Sequence, residues 1–322
     1  MTAFSLEPGQ TAWCAELRTL AADHLRPLAD KGEPGHVNRP LVAELGRLGL
    51  LGRLFTSGAL DLCLMRESLA QVCTEAETAL ALQGLGAHPV HAHGTAAQRE
   101  RWLPRVADGD AVAAFALSEP GAGSDAAALA LRADEDGSGG WRLTGEKCWI
   151  SNAPEADLYT VFARTGPAAG ARGVTAFLVP ADRPGLTGTP LDLLSPHPIG
   201  ALAFDAVPVT TDDLLGEPGH GFRVAMGTLN LFRPSVGAFA VGMAQAALDA
   251  TLVHTARRDA FGGPLKDLQT VSHQVAEMAL RTEAARLMVY AAAAAHDAGA
   301  ADFPPPPAPA NQHPTQKPPE LS

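Results

Sequence analysis

The stretch AFALSEPGAGSDAAALALRAD (residues 114–134) decides how the middle of the chain folds. It starts as a short apolar strand and enters a turn in which Gly121 and Gly123 fit the G-x-G-x-x-A pattern of dinucleotide-binding folds. Such a fold needs the turn to start a long helix that crosses over to a parallel strand. Here AAALALRAD allows barely two helical turns before EDGSGG. The stretch therefore argues against an NAD(P)-binding domain.

The residues that follow read as strands. WRLTGEKCWI (residues 141–150) alternates, with Trp141, Leu143, Lys147 and Trp149 on faces two residues apart. LYTVFAR, GVTAFLVPAD and ALAFDAVPVT are further strand-length runs, separated by Gly, Pro and Asp. Because these connections are too short for crossover helices, they predict an antiparallel, barrel-like or sandwich-like sheet.

Helical patterns lie on both sides of this β region, so the predicted fold class is α+β. RPLVAELGRLGLLGRLF places Leu41, Leu45, Leu48 and Leu54 on one stripe, LMRESLAQVCTEAETALALQGL continues as a longer helix, and Thr95 is a candidate N-cap. Two long helices follow, over residues 222–258 and 267–297. The predicted domains are an N-terminal helical domain (1–112), a central β domain (113–215), a partial C-terminal helical bundle (216–300) and a disordered proline-rich tail (301–322).

Composition excludes several classes of function. The chain has 322 residues and a formal net charge of −11, so it has no basic surplus for nucleic acid or anionic lipid. Four cysteines without a C-x-x-C pair indicate reduced thiols rather than a zinc site or a disulfide framework. We expect a cytoplasmic protein, since the N-terminus lacks a signal pattern and no apolar run approaches the roughly 18 residues of a membrane span.

Five co-linear segments resemble the acyl-CoA dehydrogenase family. FALSEPGAGSD (115–125) and GEKCWISNA (145–153) resemble its two signatures. LLGEPGHGF, RPSVGAFAVGMAQAALD and RRDAFGGPLKDLQTV resemble later segments in the family's order and spacing. The resemblance runs from about residue 39 to residue 298 and implies FAD as cofactor, an acyl-CoA substrate, electron-transfer flavoprotein as electron acceptor and a homo-oligomer, either a tetramer or a dimer.

The resemblance also implies a set of binding residues. The cofactor contacts are Phe115, Leu117, Ser118, Gly123, Ser124, Trp149, Ile150, Ser151, Arg258 and Gln269. The backbone near Ser118 offers N–H groups to the flavin ring, and the glycines let the chain approach a ligand closely. Trp149 supplies a packing face, although a buried strand tryptophan is the alternative interpretation of that residue. The Ser151 hydroxyl is expected near flavin N5, where hydride arrives.

Except for Ser124, the remaining implied contacts lie on the two long helices. Arg258 is expected to reach the phosphates of a neighbouring subunit's cofactor, although a solvated charge at a helix end is the alternative. Ala260 replaces the usual threonine near that arginine. Substrate contacts are Ser124, Asn230 and Arg233, with Asn230 where an aspartate is common.

No catalytic base is assigned. In most members it is a glutamate beyond the second long helix, where this chain has 8 of its 26 prolines in the last 22 residues. In a minority of members the base occupies the position that Phe232 has in this chain. The tail indicates a truncated or frame-shifted product, or a shortened non-catalytic homologue; the first is favoured because the break falls within the bundle.

We therefore expect residues 1–322 alone to show little dehydrogenase activity, because a carboxylate base is needed to remove the α proton. Reduction of an electron-accepting dye by the purified protein with an acyl-CoA measures this. Robust reduction would contradict the expectation.

Other candidates are weaker. His88, His91 and His93 are interpreted as structural rather than metal ligands, Glu119 as a turn residue and Cys148 as a strand residue. Metal ligands are therefore not predicted. A flavin-dependent monooxygenase of the same fold, such as a hydroxylase or nitroalkane oxidase relative, and a non-enzymatic helical binding module remain alternative functions.

Overall fold

A computed structural model describes residues 5–166 and 170–299. The predicted disordered tail, which starts at residue 301, lies outside the described residues. The described chain forms two compact units. The helical unit comprises residues 5–26, 57–77 and 230–299, and the β-containing unit comprises residues 27–56 and 78–229.

Helices occupy the two ends of the described chain, as the sequence predicts. In chain order they are α1 (Pro8–Leu20), a π-helical segment (Ala21–Leu25), α2 (Arg26–Ala29), α3 (Arg39–Arg47), α4 (Leu50–Arg53), α5 (Ala59–Ala70), α6 (Thr74–His93), α7 (Ala96–Ala107), α8 (Gly221–Arg257) and α9 (Gln269–Asp297). Thr95 is the N-cap of α7, because its hydroxyl accepts a hydrogen bond from the Gln98 backbone N–H at 3.2 Å.

Two helices that the apolar pattern predicts as continuous are each interrupted. The Leu41–Leu54 stripe is divided between α3 and α4, because Gly49 adopts a left-handed conformation with φ of 73°. The longer helix is divided between α5 and α6 by a turn after Ala70. Apolar periodicity continues through both interruptions because the residues on either side remain buried, so periodicity alone did not reveal them.

Strands lie between α7 and α8. They are β1 (Ala113–Ala116), β2 (Arg132–Glu135), β3 (Trp141–Ser151), β4 (Leu158–Arg164), β5 (Val174–Pro180), β6 (Leu186–Pro190) and β7 (Ile199–Val209), with a short pair β8 (Asp259–Ala260) and β9 (Gly263–Pro264) after α8. The first seven form one sheet in the order β1-β4-β2-β3-β7-β6, with β5 also paired to β4.

The sheet is mixed, which corrects the prediction of a purely antiparallel one. β4 pairs in parallel with both β1 and β2, whereas the other pairings of the sheet are antiparallel. Parallel pairing became possible without a crossover helix because β2 and β3 lie between β1 and β4 along the chain. The predicted domain limits stay predictions.

Each unit has its own core. In the β-containing unit, Trp102, Leu158, Phe162 and Leu215 belong to a buried cluster. In the helical unit, Cys63, Leu64 and Val289 belong to another. These apolar side chains hold the sheet and the helices from which the candidate site residues project.

Helix α8 is more apolar than expected, because no run approaching the length of a membrane span is predicted from the sequence. It contains an 18-residue window that is long and apolar enough to cross a membrane by length and composition. This is weak support for a span, because core helices of water-soluble proteins pass the same test. About 33% of that window is buried inside the described protein, and Ala238 and Val241 are among the buried residues of α8.

Candidate functional site

The two signature segments meet in the β-containing unit. We name residues 117–124 the glycine loop and residues 148–151 the tryptophan segment. The Cys148 backbone N–H donates to the Ser118 carbonyl at 3.0 Å, which joins the two directly. Within the glycine loop, Glu119 and Ala122 exchange two backbone hydrogen bonds, of 3.0 and 3.1 Å, which close a tight turn.

A buried ion pair fixes this junction. Lys147 is fully buried, and its Nζ donates to the Leu117 carbonyl at 3.0 Å and to Glu119 Oε1 at 2.7 Å. The Glu119 carboxylate also accepts the Ala130 and Leu131 backbone N–H groups at 2.5 and 3.0 Å. Burial lowers the pKa of Lys147 to about 8, and the Glu119 carboxylate opposes that shift. Glu119 is thus the centre of a structural network, as its interpretation as a turn residue implied.

The Trp149 side chain projects outward. Strand β3 changes register between Lys147 and Ile150, and Trp149 has φ of 58° there. The regular alternation predicted for Leu143, Lys147 and Trp149 is therefore wrong at its last member. Ile150 takes the buried face, and Trp149 is 60% exposed. The alternative interpretation, a buried strand tryptophan, is excluded for this residue.

Left-handed backbone at a tryptophan is costly, of the order of 1–3 kcal/mol, and is concentrated at functional sites. The next turn has a similar feature, since Asn152 has φ of 65°. Its buried side-chain amide donates to the carbonyl of Ala113 in β1 at 2.9 Å, which holds this conformation. The exposed Trp149 side chain therefore follows directly after Cys148, whose backbone N–H bonds to the glycine loop.

The glycine loop leaves open space at its tip. A Cβ atom added to Gly121 or Gly123 would meet no atom of the described chain within 4 Å. The neighbouring Ser124 is exposed. These glycines are therefore not required by packing within the described chain, and the space beside them is free for a ligand.

Three predicted cofactor residues turn their side chains into the protein. Phe115 packs against the buried cluster of the β-containing unit, with its ring centroid 4.9 Å from that of Phe162. Ile150 is buried on the opposite face of β3 from Trp149. Leu117 is buried as well. A ligand at the glycine loop would meet the backbone of these residues rather than their side chains.

His197 is a site residue that the sequence reasoning missed. Its Nε2 lies 2.8 Å from the Ser151 hydroxyl oxygen. Burial lowers the pKa of His197, so the neutral imidazole is favoured at pH 7. A histidine between prolines in SPHPIG carried no family motif, and only the pairing of β3 with β7 brings it to Ser151.

The helical unit holds the other predicted residues. Arg233 Nη1 donates to Asn230 Oδ1 at 2.8 Å, so these two substrate candidates form one polar group on α8. Phe232 is buried beside them. Arg258 and Gln269 are both exposed, after the end of α8 and at the start of α9 respectively. Arg258 lies at a surface depression lined also by Asp249, His254 and Arg257.

The minor candidates make other contacts within the described chain. No cluster of three metal-ligating side chains was found among residues 5–166 and 170–299. His88 Nδ1 instead lies 3.1 Å from the Thr228 hydroxyl, and His91 contacts the Phe55 ring. Burial raises the pKa of the Cys148 thiol, which disfavours a nucleophilic thiolate.

Comparison with known families matches three consecutive regions of the chain. The N-terminal, middle and C-terminal domains of acyl-CoA dehydrogenase match residues 7–110, 114–207 and 219–311. The probable acyl-CoA dehydrogenase FadE25 of Mycobacterium tuberculosis is 41% identical over 244 residues, which is 75% of this chain and 62% of that protein. Glutaryl-CoA dehydrogenase of Desulfococcus multivorans is 35% identical over 88% of this chain and 77% of its own length.

Solved structures are similar over most of the chain. The glutaryl-CoA complex of glutaryl-coenzyme A dehydrogenase has a TM-score of 0.85 at 33% identity and covers 92% of this chain and 78% of that one. The FAD complex of PigA has a TM-score of 0.84 at 28% identity, covering 92% and 81%. The helix–sheet–helix order agrees with the order of the three matched domains. The chain spans only 62% of the length of the FadE25 proteins.

Proposed function

This chain belongs to the acyl-CoA dehydrogenase family, and we propose that it binds FAD at the junction of the glycine loop and the tryptophan segment and acts on an acyl-CoA thioester. The family reaction would remove a proton from the α carbon to a carboxylate base and a hydride from the β carbon to the flavin. Because no such base is assigned within residues 1–322, we expect these residues alone to bind the thioester with little turnover. The cofactor, the substrate and the activity are proposals for this chain, because it spans only 62% of the length of its FadE25 relatives.

One observation carries the proposal. The Ser118–Cys148 backbone bond brings together two segments about 30 positions apart, and an exposed tryptophan held in left-handed backbone stands at their meeting point. Folding alone gives no reason for a costly backbone conformation that removes a large aromatic ring from the core. A planar ligand that stacks on this ring does give one.

The residues present fit FAD. Backbone groups of the glycine loop can approach the ligand because Gly121 and Gly123 have open space, and Ser124 offers an exposed hydroxyl for a phosphate oxygen. Trp149 would stack on the ring and Ser151 would hydrogen-bond to it. FAD supplies the two-electron chemistry when bound, whereas the chain orients the ring and excludes water from one face.

The substrate contacts and the contacts with a second subunit are proposed from the resemblance to the family. Asn230 and Arg233 would contact the acyl-CoA, and their mutual hydrogen bond fixes the direction of the guanidinium. Arg258 and Gln269 would reach the cofactor of a second subunit, which is consistent with their exposure on the single chain. Electron-transfer flavoprotein as acceptor and a cytoplasmic location complete the proposal.

A second candidate function is a flavin- and acyl-CoA-binding homologue without catalytic activity. Phe232 favours it, because this buried aromatic ring stands where a minority of members carry the base and cannot take a proton. The two candidates share the binding site and differ only in whether bound acyl-CoA reduces the flavin.

Binding is therefore the first experiment. Purified protein is titrated with FAD and, after removal of unbound cofactor, its visible absorption spectrum is recorded before and after an acyl-CoA is added without oxygen. The proposal predicts retained flavin bands that the thioester perturbs, and loss of those bands identifies the dehydrogenase over the binding homologue. Folded protein that retains no flavin at any FAD concentration would contradict both candidates.

The substitution Gly123→Ala tests whether Gly123 is needed for FAD binding or for folding. The added methyl group meets no protein atom within 4 Å and φ is ordinary at this position, so the free energy of unfolding should stay unchanged or rise by about 0.5 kcal/mol. FAD affinity should fall about tenfold, because the methyl group occupies space that the cofactor needs. Fluorescence titration measures the affinity and urea denaturation the stability.

Gly166→Ala is the matched control, because that loop glycine also has open space and lies outside both signature segments. Its affinity for FAD should equal that of the wild type. Equal weakening of FAD binding by both substitutions would mean that the effect is not specific to the glycine loop. A large loss of stability in Gly123→Ala alone would mean that the glycine loop is structural.

A further inference from the structure

The His197 imidazole is placed against Ser151 by the backbone on both sides of it. Ser151 pairs with Ile199 across β3 and β7, and the Asn152 N–H donates to the Pro198 carbonyl at 2.9 Å. The Leu191 N–H donates to the Ile199 carbonyl at 2.9 Å. The loop that carries His197 is thus tied to the end of β3, and the 2.8 Å contact between Nε2 and the hydroxyl follows from fixed backbone.

The direction of the Ser151 hydroxyl hydrogen depends on this contact. A serine hydroxyl has one hydrogen and can accept two others. If Nε2 is unprotonated, the hydroxyl donates its hydrogen to the imidazole and offers a ligand only its lone pairs. If Nε2 carries the hydrogen, the imidazole donates to the serine oxygen, and the hydroxyl hydrogen is free for an acceptor on a ligand.

We propose that His197 is a positioning residue of the cofactor site, which donates from Nε2–H to the Ser151 oxygen and thereby directs the Ser151 hydroxyl hydrogen toward the flavin ring. This inference rests on the proposed function. A ligand with a hydrogen-bond acceptor at Ser151 selects that tautomer, because only then are the hydroxyl and the ligand acceptor both satisfied.

A neutral His197 imidazole is sufficient to orient Ser151, because this role uses only the Nε2–H group. Burial is the cause of the lowered pKa of His197, and a charged imidazolium is not needed to orient the serine. The hydrogen bond acts only through Ser151, so His197 itself need not touch the cofactor.

A double-mutant cycle tests this dependence. FAD dissociation constants are measured by fluorescence titration for the wild type, His197→Phe, Ser151→Ala and the double variant. In the wild-type background His197→Phe should weaken FAD binding about tenfold, the loss of one well-oriented hydrogen bond. In the Ser151→Ala background the same substitution should change the affinity less than twofold, because the hydroxyl that His197 orients is gone.

Two further variants provide a rescue and a control. His197→Gln retains an N–H donor and should recover most of the affinity lost in His197→Phe. His36→Phe changes an exposed histidine that pairs with Glu155, and it should leave FAD affinity unchanged. The flavin reduction potential is a second readout, because a hydrogen bond to the ring moves it whereas a general loss of stability does not.

The outcomes are distinguishable. A folded wild type that binds no FAD overturns the proposed function and this inference with it. Wild-type binding with equal losses for His197→Phe in both serine backgrounds overturns the inference alone, as does an unchanged affinity in His197→Phe. A tenfold loss that disappears with the serine and returns with glutamine supports it.

Discussion

Lys147→Met should destabilise the protein by about 3–5 kcal/mol, the largest effect expected from a single substitution here. Methionine keeps a long unbranched side chain but removes the charged amine that faces Glu119, which leaves a buried carboxylate without its cation. The Leu117 carbonyl also loses its Lys147 donor. Urea denaturation followed by circular dichroism measures the change in the free energy of unfolding.

Two comparisons isolate the cause of that loss. Adding Glu119→Gln to Lys147→Met should restore a substantial part of the stability, because the uncompensated charge is then removed. Lys266→Met breaks the exposed pair with Asp267, and should cost less than about 1 kcal/mol. A cost for Lys147→Met no larger than that of Lys266→Met would show that the buried pair does not hold the two segments together.

Trp149→Gly should abolish most FAD affinity while leaving the fold intact. The exposed ring contributes little to folding, and glycine adopts φ of 58° without the cost that tryptophan bears. We expect the free energy of unfolding to change by no more than about 1 kcal/mol. FAD binding should weaken by about 2–3 kcal/mol, or roughly 30- to 150-fold, because an aromatic contact surface is removed.

Ala206→Gly is the control for backbone strain. Ala206 also has a left-handed backbone, with φ of 50°, and lies exposed in β7. Its replacement relieves the same kind of strain without touching the signature segments, so FAD affinity should equal that of the wild type. If Trp149→Gly binds FAD as Ala206→Gly does, the tryptophan has no part in the site.

Much of the fold could be predicted from the sequence because apolar period and turn residues are local. The change of period after Val112 indicated the β region, and Thr95 with Gln98 three residues later formed the capping box that starts α7. The parallel pairing of β4 with β1 was missed, because strand order depends on contacts distant in sequence. The break in the alternation at Trp149 was missed because a bulge shifts the period by one residue.

The candidate site was only partly accessible to sequence reasoning. The motifs identified Ser118, Trp149 and Ser151, but Lys147 and Glu119 were assigned no joint role. A signal existed, since Lys147 occupies an apolar face of β3 and a buried lysine needs a partner. His197 gave no such signal, because its contact with Ser151 is created by strand pairing alone.

Hydrogen–deuterium exchange of the purified chain with and without FAD tests the central claim most directly, because it reports on both segments in one sample. The account predicts that peptides containing residues 117–124 and 148–151 become protected together, with the same dependence on FAD concentration. Protection of only one segment, or of neither in protein that is folded, would contradict a cofactor site built at their junction.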